Sequence, residues 1–222
     1  MIFTAKDVKD VIDRYTKRYK EFGYDPKSFG WDKGKQEVRF DILTSQYNFE
    51  NKHILDIGCG FGDLNKMLMK KASHYMYTGF DLVDVLLREA RKKYQNRNVN
   101  FIKGNILNLR SQHKYDYAIS SGIFNYRLSG GNNYEFIEAV MEKALRMTND
   151  GIAFDFLSDK VDYRLGHTFH RSPEKILSIA YRFSRNIVLR NDYMPFEFTI
   201  FIFKDDRFSD EDTVFMRYKK RG

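Results

Sequence analysis

The chain has 222 residues, of which 42% are hydrophobic, and this length suits one buried core in one domain. No apolar run is long enough to cross a bilayer, and the N-terminal MIFTAKDVKD does not resemble a secretion signal. The single cysteine, Cys59, excludes an internal disulfide, so a reducing cytoplasm is expected and Cys59 is predicted to be a packed side chain. The formal charge of +8 would suit nucleic acid or an anionic metabolite, although a solvated basic surface is the more common explanation.

The first 50 residues are predicted to be mainly helical. Thr4 and Asp7 have the spacing of a helix cap, and apolar residues follow at helical intervals from Val8 to Tyr19. A turn-rich stretch at 22–35 precedes a second helix at about 35–46. We therefore predict a helical lid at 1–50 that belongs to the same domain, a core at 51–204, and a basic tail at 205–222 whose densest basic run is 217–221.

Strands and helices alternate beyond residue 53, and this pattern predicts a parallel sheet covered on both faces. Strands are predicted at 53–57, 75–80, 99–102, 115–120 and 152–157, with helices at 63–71, 83–94 and 134–147. Asn149-Asp150-Gly151 is predicted to be a turn before the fifth strand, and Ser172-Pro173 to begin a further helix. Two last strands, at about 186–191 and 196–203, should pair as an antiparallel hairpin.

The most informative segment is HILDIGCGFGDL at 53–64. A short apolar strand ends in Asp56, and glycines follow at Gly58, Gly60 and Gly62 before a helical pattern begins. Glycine allows a sharp turn and lets a ligand approach the bare backbone. The spacing differs from the G-x-G-x-x-G of dinucleotide-binding loops, and Asp56 would repel a pyrophosphate. It would suit a ligand that carries positive charge.

This segment resembles the first motif of class I S-adenosylmethionine (SAM) methyltransferases, and the resemblance extends over about 52–203. It implies an α/β, Rossmann-like, seven-stranded and mostly parallel sheet with helices on both faces and the last strand antiparallel. It also implies SAM as the cofactor and S-adenosylhomocysteine (SAH) as the product. No cluster with the spacing of metal ligands is visible in the sequence, so no metal is expected. The cofactor contacts implied in this segment are Asp56, Gly58, Cys59 and Gly60.

The second and third predicted strands end in residues that fit an adenosyl group. Asp81, with Leu82 beside it, could accept hydrogen bonds from both ribose hydroxyls, whereas a helix cap is the alternative role. Asn105 stands where such methyltransferases usually carry an acid, and its amide could still bind adenine, with Ile106 covering the ring. An ordinary Gly-Asn turn is the alternative explanation for Asn105.

The segment after the fourth strand should lie where the methyl group is presented, because ligands in this fold bind at the carboxyl ends of the strands. Ser121 and Gly122 would approach the methionine part of the cofactor. The segment lacks the Asn/Asp-Pro-Pro-aromatic motif of enzymes that methylate nucleobase amino groups, which counts against that class. The catalytic candidates are Asn125 and Tyr126, and His167 and His170 as general bases. For each histidine a hydrogen-bonded or solvated loop residue is the more common alternative, and Tyr126 could be a packing aromatic.

Aromatic and cationic residues before residue 50 could belong to a lid over the site. Arg39 could bind the cofactor carboxylate or an acidic acceptor, while an amphipathic helix with solvated charges is the alternative. The substrate-binding candidates are Tyr15, Arg18, Trp31 and Lys35 from this segment, together with Arg127.

Several short segments resemble a bacterial group of small-molecule methyltransferases that includes enzymes of capsule phosphoramidate modification. The segments are Arg18-Tyr19, Phe29-Gly30-Trp31, Lys35-Gln36, Arg39-Phe40, 121–125, Asn191-Asp192-Tyr193 and Glu197-Phe198-Thr199. The resemblance implies an anionic small-molecule acceptor, no nucleic acid or membrane partner, and a monomer or homodimer. Two alternatives stay open, an RNA or protein methyltransferase on account of the basic charge, and a SAM-binding module without catalysis.

Overall fold

Seven strands form one sheet in the computed structural model, which describes residues 2–30, 36–110 and 114–204. In chain order the strands are β1 (Lys52–Ile57), β2 (Tyr75–Asp81), β3 (Val99–Lys103), β4 (Tyr115–Ser120), β5 (Thr148–Leu157), β6 (Ile187–Arg190) and β7 (Glu197–Phe203). The spatial order is β3-β2-β1-β4-β5-β7-β6, and β7 is antiparallel to both of its neighbours. The other pairs, from β3 to β5, are parallel. The predicted α/β fold, including the terminal hairpin, is confirmed.

Six helices accompany the sheet in the described residues. They are α1 (Ala5–Phe22), α2 (Gln36–Leu43), α3 (Leu64–Lys71), α4 (Asp84–Lys93), α5 (Asn133–Met147) and α6 (Pro173–Ala180). Short 3₁₀ turns lie at Pro26–Phe29 and Ile106–Asn108. Helix α2 ends earlier than predicted because the Thr44 and Ser45 hydroxyls donate to the carbonyls of Phe40 and Ile42, which competes with further helical bonds.

Both faces of the sheet are buried, as the nearly continuous apolar strands require. Neighbouring residues on one strand serve opposite faces, so Ile54 packs with α2, α3 and α4 whereas Leu55 packs with α5 and α6. The same alternation continues in β5, where Phe154 joins the α5 side and Ala153 the opposite side. The core therefore consists of two layers, and the carboxyl ends of β1 to β4 meet along one edge.

The predicted turn at Asn149-Asp150-Gly151 is wrong, because these residues lie inside β5. Tyr115 pairs with Thr148 and Tyr117 with Gly151, so β5 contains one extra residue relative to β4 and forms a bulge. Strand β7 pairs with β5 at this point. It passes so close that a Cβ on Gly151 would stand 2.4 Å from the Ile202 carbonyl oxygen, so the position requires glycine. Turn-forming residues here serve a bulge in a paired strand.

Helix α1 is attached to the core at both ends. The capping box between Thr4 and Asp7 forms as predicted, and Asp7 also accepts hydrogen bonds from the amides of Ser129 (2.8 Å) and Gly130 (2.9 Å). These bonds lower the pKa of Asp7 to about 2, in opposition to its burial. Near the other end, the Tyr19 hydroxyl donates to Glu89 on α4 (2.9 Å).

No helix in the part of the chain that the structure describes is long and apolar enough to span a membrane.

Candidate functional site

A cavity of about 540 Å³ lies at the carboxyl edge of the sheet. Its floor is made by the ends of β1 and β2 and by the segments that follow β3 and β4, and α1 and the loop after β5 also contribute to its lining. The predicted residues that line it are Tyr15, Arg39, Asp56, Gly58, Cys59, Gly60, Asp81, Leu82, Asn105, Ile106, Ser121, Gly122, Asn125, Tyr126 and His167. The topology thus brings most of the predicted site together from seven separate parts of the chain.

The glycine loop has the sharp turns that its sequence predicts. Gly58, Gly60 and Gly62 have φ values of +75°, +53° and +72°, a region that favours glycine. A Cβ on Gly58 would stand 2.0 Å from the Ile123 side chain, and one on Gly60 would stand 2.5 Å from the Phe29 ring. The missing Cβ atoms therefore make room for protein side chains, while the loop backbone itself lines the cavity.

Asp56 is a buried acid at the end of β1. Its carboxylate is 4% exposed and accepts a hydrogen bond from the Tyr77 hydroxyl (2.6 Å). Burial and, to a smaller extent, the charges of Asp81 and Asp63 raise the pKa of Asp56 to about 7 against the opposing effect of the Tyr77 bond. A cation placed beside Asp56 would stabilise its ionised form. The side chain therefore fits the positively charged amino group of SAM.

Asp81 connects β2 to the glycine loop. Its carboxylate accepts the Gly60 amide and the Val83 amide, each at 2.8 Å. Burial raises the pKa of Asp81 although both bonds favour its ionised form. The bond from the Val83 amide shows that Asp81 also has the alternative role, a cap just before α4. The bond from the Gly60 amide holds the glycine loop against the end of β2. Because Asp81 also lines the cavity, its remaining lone pairs could accept from ribose hydroxyls.

Asn105 begins a 3₁₀ turn. Its side-chain oxygen accepts a hydrogen bond from the Leu107 amide (3.0 Å), so the Gly-Asn turn that was the alternative explanation does form. Asn105 nevertheless lines the cavity together with the buried Ile106. The oxygen is partly used by this bond, and the amide nitrogen is the group better suited to a nucleobase.

Asp155 is a site residue that sequence reasoning missed. It is buried in β5, and it accepts the Ser121 hydroxyl (2.5 Å) and the Gly122 amide (2.7 Å). Burial raises the pKa of Asp155, whereas Arg39 and both hydrogen bonds lower it. This carboxylate holds the segment after β4 in place at the cavity. An acid inside the apolar run IAFDFL was the available signal.

Arg39 requires a correction. It lines the cavity, but its Nε and Nη2 donate to both carboxylate oxygens of the buried Glu197 on β7. Burial lowers the pKa of Arg39 to about 10. The two N–H groups that were predicted to bind the carboxylate of the cofactor therefore bind the carboxylate of Glu197 instead. A residue near position 39 and one near 197 become neighbours only because β7 lies beside β5 in the sheet.

The acceptor candidates come together through a short bridge between two loops. Tyr126 pairs with Thr168, the Arg127 amide donates to the His167 carbonyl (3.1 Å), and the Phe169 amide donates to the Asn125 carbonyl (3.0 Å). His167 lies at the cavity, and partial burial followed by the charges of two arginines lowers its pKa. Its imidazole is therefore neutral at pH 7 and able to accept a proton.

Three predicted residues lie outside the cavity lining. The ring nitrogens of His170 contact the Ser158 carbonyl (2.7 Å) and the Thr168 hydroxyl (3.1 Å), so this histidine has a structural role. Arg18 donates to the Lys27 carbonyl from Nε (3.0 Å) and from Nη2. Arg127 donates to the Thr168 carbonyl (3.1 Å). Trp31 and Lys35, like the basic tail, lie outside the described residues.

Two further cavity residues differ in their chemistry. Burial raises the pKa of Cys59 well above its ordinary value, so the side chain is a neutral thiol that packs under the loop, as predicted. A further cavity residue is Arg14 on α1. Its guanidinium lies 5.6 Å from the centre of the Tyr126 ring. Arg14 was not among the candidates from the sequence, which included Arg18, one turn further along the same helix. In the ranges that the structure describes, no group of three histidine, cysteine or acidic side chains is placed to hold a metal.

Comparison with known proteins gives concordant matches. A family model described as a methyltransferase domain matches residues 54–151. A Mycobacterium tuberculosis protein named as a methyltransferase is 29% identical over 157 residues, which are 68% of this chain and 92% of the relative. The malonyl-[acyl-carrier protein] O-methyltransferase of Priestia megaterium is 37% identical over 81 residues, which are 36% of this chain and 30% of that protein.

A crystal structure of the Synechocystis PCC 6803 magnesium protoporphyrin IX methyltransferase with bound SAM has the same fold. The TM-score is 0.64 at 16% identity, with 92% of this chain and 100% of that chain covered. The predicted fold is confirmed, and the match to a methyltransferase domain bears out the predicted enzyme class, a methyltransferase.

Proposed function

We propose that this chain, a SAM-dependent methyltransferase, transfers the methyl group to an oxygen or nitrogen of an anionic small molecule. The observation that carries the proposal is the cavity of about 540 Å³, which α1 and the loop after β5 help to enclose. This volume lies within the range of small-molecule pockets. Cofactor and acceptor would share it, so the acceptor must be small or be the narrow end of a larger molecule. The formal charge of +8 favours an anion.

The residues at the floor of the cavity fit the parts of the cofactor. When bound, SAM supplies an electrophilic methyl group on a sulfonium. We infer that Asp56 faces its amino group, Asp81 its ribose and Asn105 with Ile106 its adenine. Ser121 and Gly122, held by Asp155, then position the methionine part. Arg39 contributes by fixing Glu197 at the cavity wall.

The reaction needs a nucleophile in line with the methyl group and a site from which water is excluded. Helix α1, attached at both ends to the core, would exclude water while Asn125 and Tyr126 orient the acceptor. An amine or hydroxyl acceptor must lose a proton, and the neutral His167 can take it. His170 lacks this ability because both of its ring nitrogens are engaged in hydrogen bonds.

A narrower setting follows from the sequence resemblance. We propose that the acceptor is a phosphoramidate or a sugar-linked intermediate of bacterial capsule or surface-polysaccharide synthesis. The covered cavity and the basic composition are compatible with such an acceptor. The named Priestia relative acts on a malonyl group, which also carries an acid, although the two chains share only part of their length.

The function is tested by SAM and SAH titration calorimetry followed by assays of SAH formation. The acceptor panel contains phosphorylated and carboxylated amines and alcohols, their uncharged counterparts, RNA and a peptide. Turnover of anionic small molecules supports the proposal. Turnover confined to RNA or peptide supports the macromolecular alternative, and SAM binding without turnover of any acceptor supports a binding module.

The site itself is tested by Asp81→Ala, which should weaken SAM binding by about 1–3 kcal/mol through the loss of charged hydrogen bonds. Asp84→Ala is the matched control, because this half-exposed acid on α4 pairs with Arg88 and does not line the cavity. Equal affinities of the two variants would remove Asp81 from the cofactor site.

A further inference from the structure

Arg14 places a positive charge at the cavity that no carboxylate of the described residues neutralises. Among these residues the guanidinium has one ring contact, with the face of Tyr126 at 5.6 Å, and no hydrogen bond or ion pair; its charge also acts on His167 and Tyr15. The acid one turn earlier on α1, Asp10, pairs with Lys6 (3.7 Å) and accepts the Ser129 hydroxyl (2.6 Å). The guanidinium therefore keeps its N–H donors available for a ligand.

The other charges around the cavity divide it into two ends. Asp56 and Asp81 lie at the end that fits the cofactor, and Glu197 neutralises Arg39. Arg14 lies instead beside Tyr126 and near His167, which follow β4 and β5. The acceptor end of the cavity therefore carries an uncompensated positive charge.

Asn125 supplies the second observation. Its side-chain oxygen is buried and has no hydrogen-bond partner among the described residues. Its backbone is held on both sides, because its amide donates to the Gly122 carbonyl (3.1 Å) and its carbonyl accepts the Phe169 amide (3.0 Å). A buried acceptor atom that the protein leaves unpaired is unfavourable in the free enzyme. A ligand with an N–H or O–H group at this point would satisfy it.

We propose that Arg14 and Asn125 form an acceptor subsite, which selects a methyl acceptor that carries an anionic group near an N–H or O–H group. This inference rests on the proposed function and specifies its substrate class. The shared chemistry is an oxyanion, either carboxylate or phosphoryl, that a guanidinium can bind through two parallel hydrogen bonds. Tyr126, next to Asn125 in sequence and under Arg14 in space, separates the two contacts.

The proposed transfer uses the acceptor, the cofactor and the side chains of this site alone. The acceptor nitrogen or oxygen forms a bond to the methyl carbon, the bond from sulfur to that carbon breaks, and its electron pair stays on sulfur to give SAH. The N–H or O–H proton, held by Asn125 before transfer, goes to the neutral imidazole of His167 and then to solvent. Arg14 holds the anionic group away from the reacting atoms, so it acts on specificity.

The first experiment compares wild-type enzyme with Arg14→Gln, Arg14→Lys and the exposed control Lys17→Gln on the same helix. The acceptors are phosphoethanolamine and 3-hydroxypropionate, with ethanolamine and 1-propanol as partners that lack the anionic group. Arg14→Gln should raise KM for the anionic acceptors about 10- to 100-fold, with a smaller change in kcat, because a charged hydrogen bond is lost away from the reacting atoms. Arg14→Lys should retain part of the affinity, and Lys17→Gln should behave as wild type. The acceptor whose KM rises more in Arg14→Gln shows whether the subsite prefers a phosphoryl or a carboxylate group.

The second variant, Asn125→Leu, separates function from folding. Because the side-chain oxygen has no partner in the free enzyme, its removal should leave the unfolding midpoint in urea unchanged or higher. Turnover should nevertheless fall about tenfold or more, since one hydrogen bond to the acceptor is lost. A lower midpoint together with unchanged turnover would show that Asn125 has a structural role and would overturn its part in the subsite.

A binding measurement makes the outcome independent of finding the natural acceptor. Inorganic phosphate and malonate are titrated into the SAH-loaded full chain while the arginine Nε–H signals are followed by NMR. The signal that is missing in Arg14→Gln should shift with at least one of these anions. If it shifts with neither, the inference is wrong. If anionic acceptors are methylated but Arg14→Gln leaves KM unchanged, the subsite is wrong while the proposed function stands. If only acceptors without an anionic group or RNA are methylated, both the subsite and the proposed function are wrong.

Discussion

Lowering the pH from 7 to 6 is expected to weaken SAM binding through Asp56. This carboxylate is buried at the end of β1, and its pKa in the free protein is raised to about 7 by burial and by the nearby charges of Asp81 and Asp63. The amino group of SAM carries positive charge and would bind beside the ionised form. Binding must therefore expel a proton whenever Asp56 is protonated, and affinity falls as the pH drops below 7.

The magnitude follows from the fraction of Asp56 that is ionised. With a pKa of about 7, about half of the free protein has the ionised form at pH 7 and about one tenth at pH 6, so the dissociation constant should rise about fivefold, or about 1 kcal/mol. The same raised pKa has the opposite effect on folding. Because Asp56 binds its proton more tightly in the folded state, its contribution to stability declines as the pH rises from about 4 to 7.

Calorimetric titration with SAM at pH 6.0, 6.5, 7.0 and 7.5 measures the effect, and the proton release shows as a dependence of the binding heat on the buffer. Asp56→Asn should bind more weakly at pH 7.5 and lose most of the pH dependence. Tyr77→Phe removes the hydrogen bond that stabilises the carboxylate, so the decline in affinity should begin at a higher pH. An equal slope in wild type and Asp56→Asn would refute this reasoning and assign the proton to another group.

Three further perturbations test other parts of the structure. Asp7→Asn should lower the free energy of unfolding by about 2 kcal/mol at pH 7, because the pKa of Asp7 is lowered to about 2 in the folded state. In urea titrations the difference in unfolding free energy between the variant and wild type should shrink as the pH falls from 4 to 2. A difference that stays constant over this range would contradict the prediction. Gly58→Ala should destabilise the fold by at least about 1 kcal/mol, because the residue has a φ of +75° and the new Cβ would collide with Ile123; an unchanged thermal midpoint would show that the loop can relax. His167→Ala should lower kcat with little change in SAM affinity, whereas His170→Ala should mainly lower stability; equal kcat values for both would leave the enzyme without a histidine base.

The sequence alone determined the features that are encoded within a few residues. The strand and the sharp glycine turns at 53–62 were predictable because backbone dihedrals and strand ends depend on local residue types. The capping box of Thr4 and Asp7 and the order of strands and helices follow for the same reason. Parallel strands also have a common carboxyl edge, so residues such as Asp56 and Asp81 could be expected to meet there.

Only the tertiary structure decided which distant side chains pair. Arg39 is bound by Glu197, and Ser121 by Asp155, because the insertion of β7 beside β5 and the register of β5 against β4 bring these residues together. The bulge at 149–151 was likewise decided by the tertiary structure, because pairing with a neighbouring strand keeps these turn-forming residues inside β5. Arg14 rather than Arg18 faces the cavity because the docking of α1 fixes the rotation of the helix. Local patterns specify an element, but burial and charge partners depend on the surface against which the element packs.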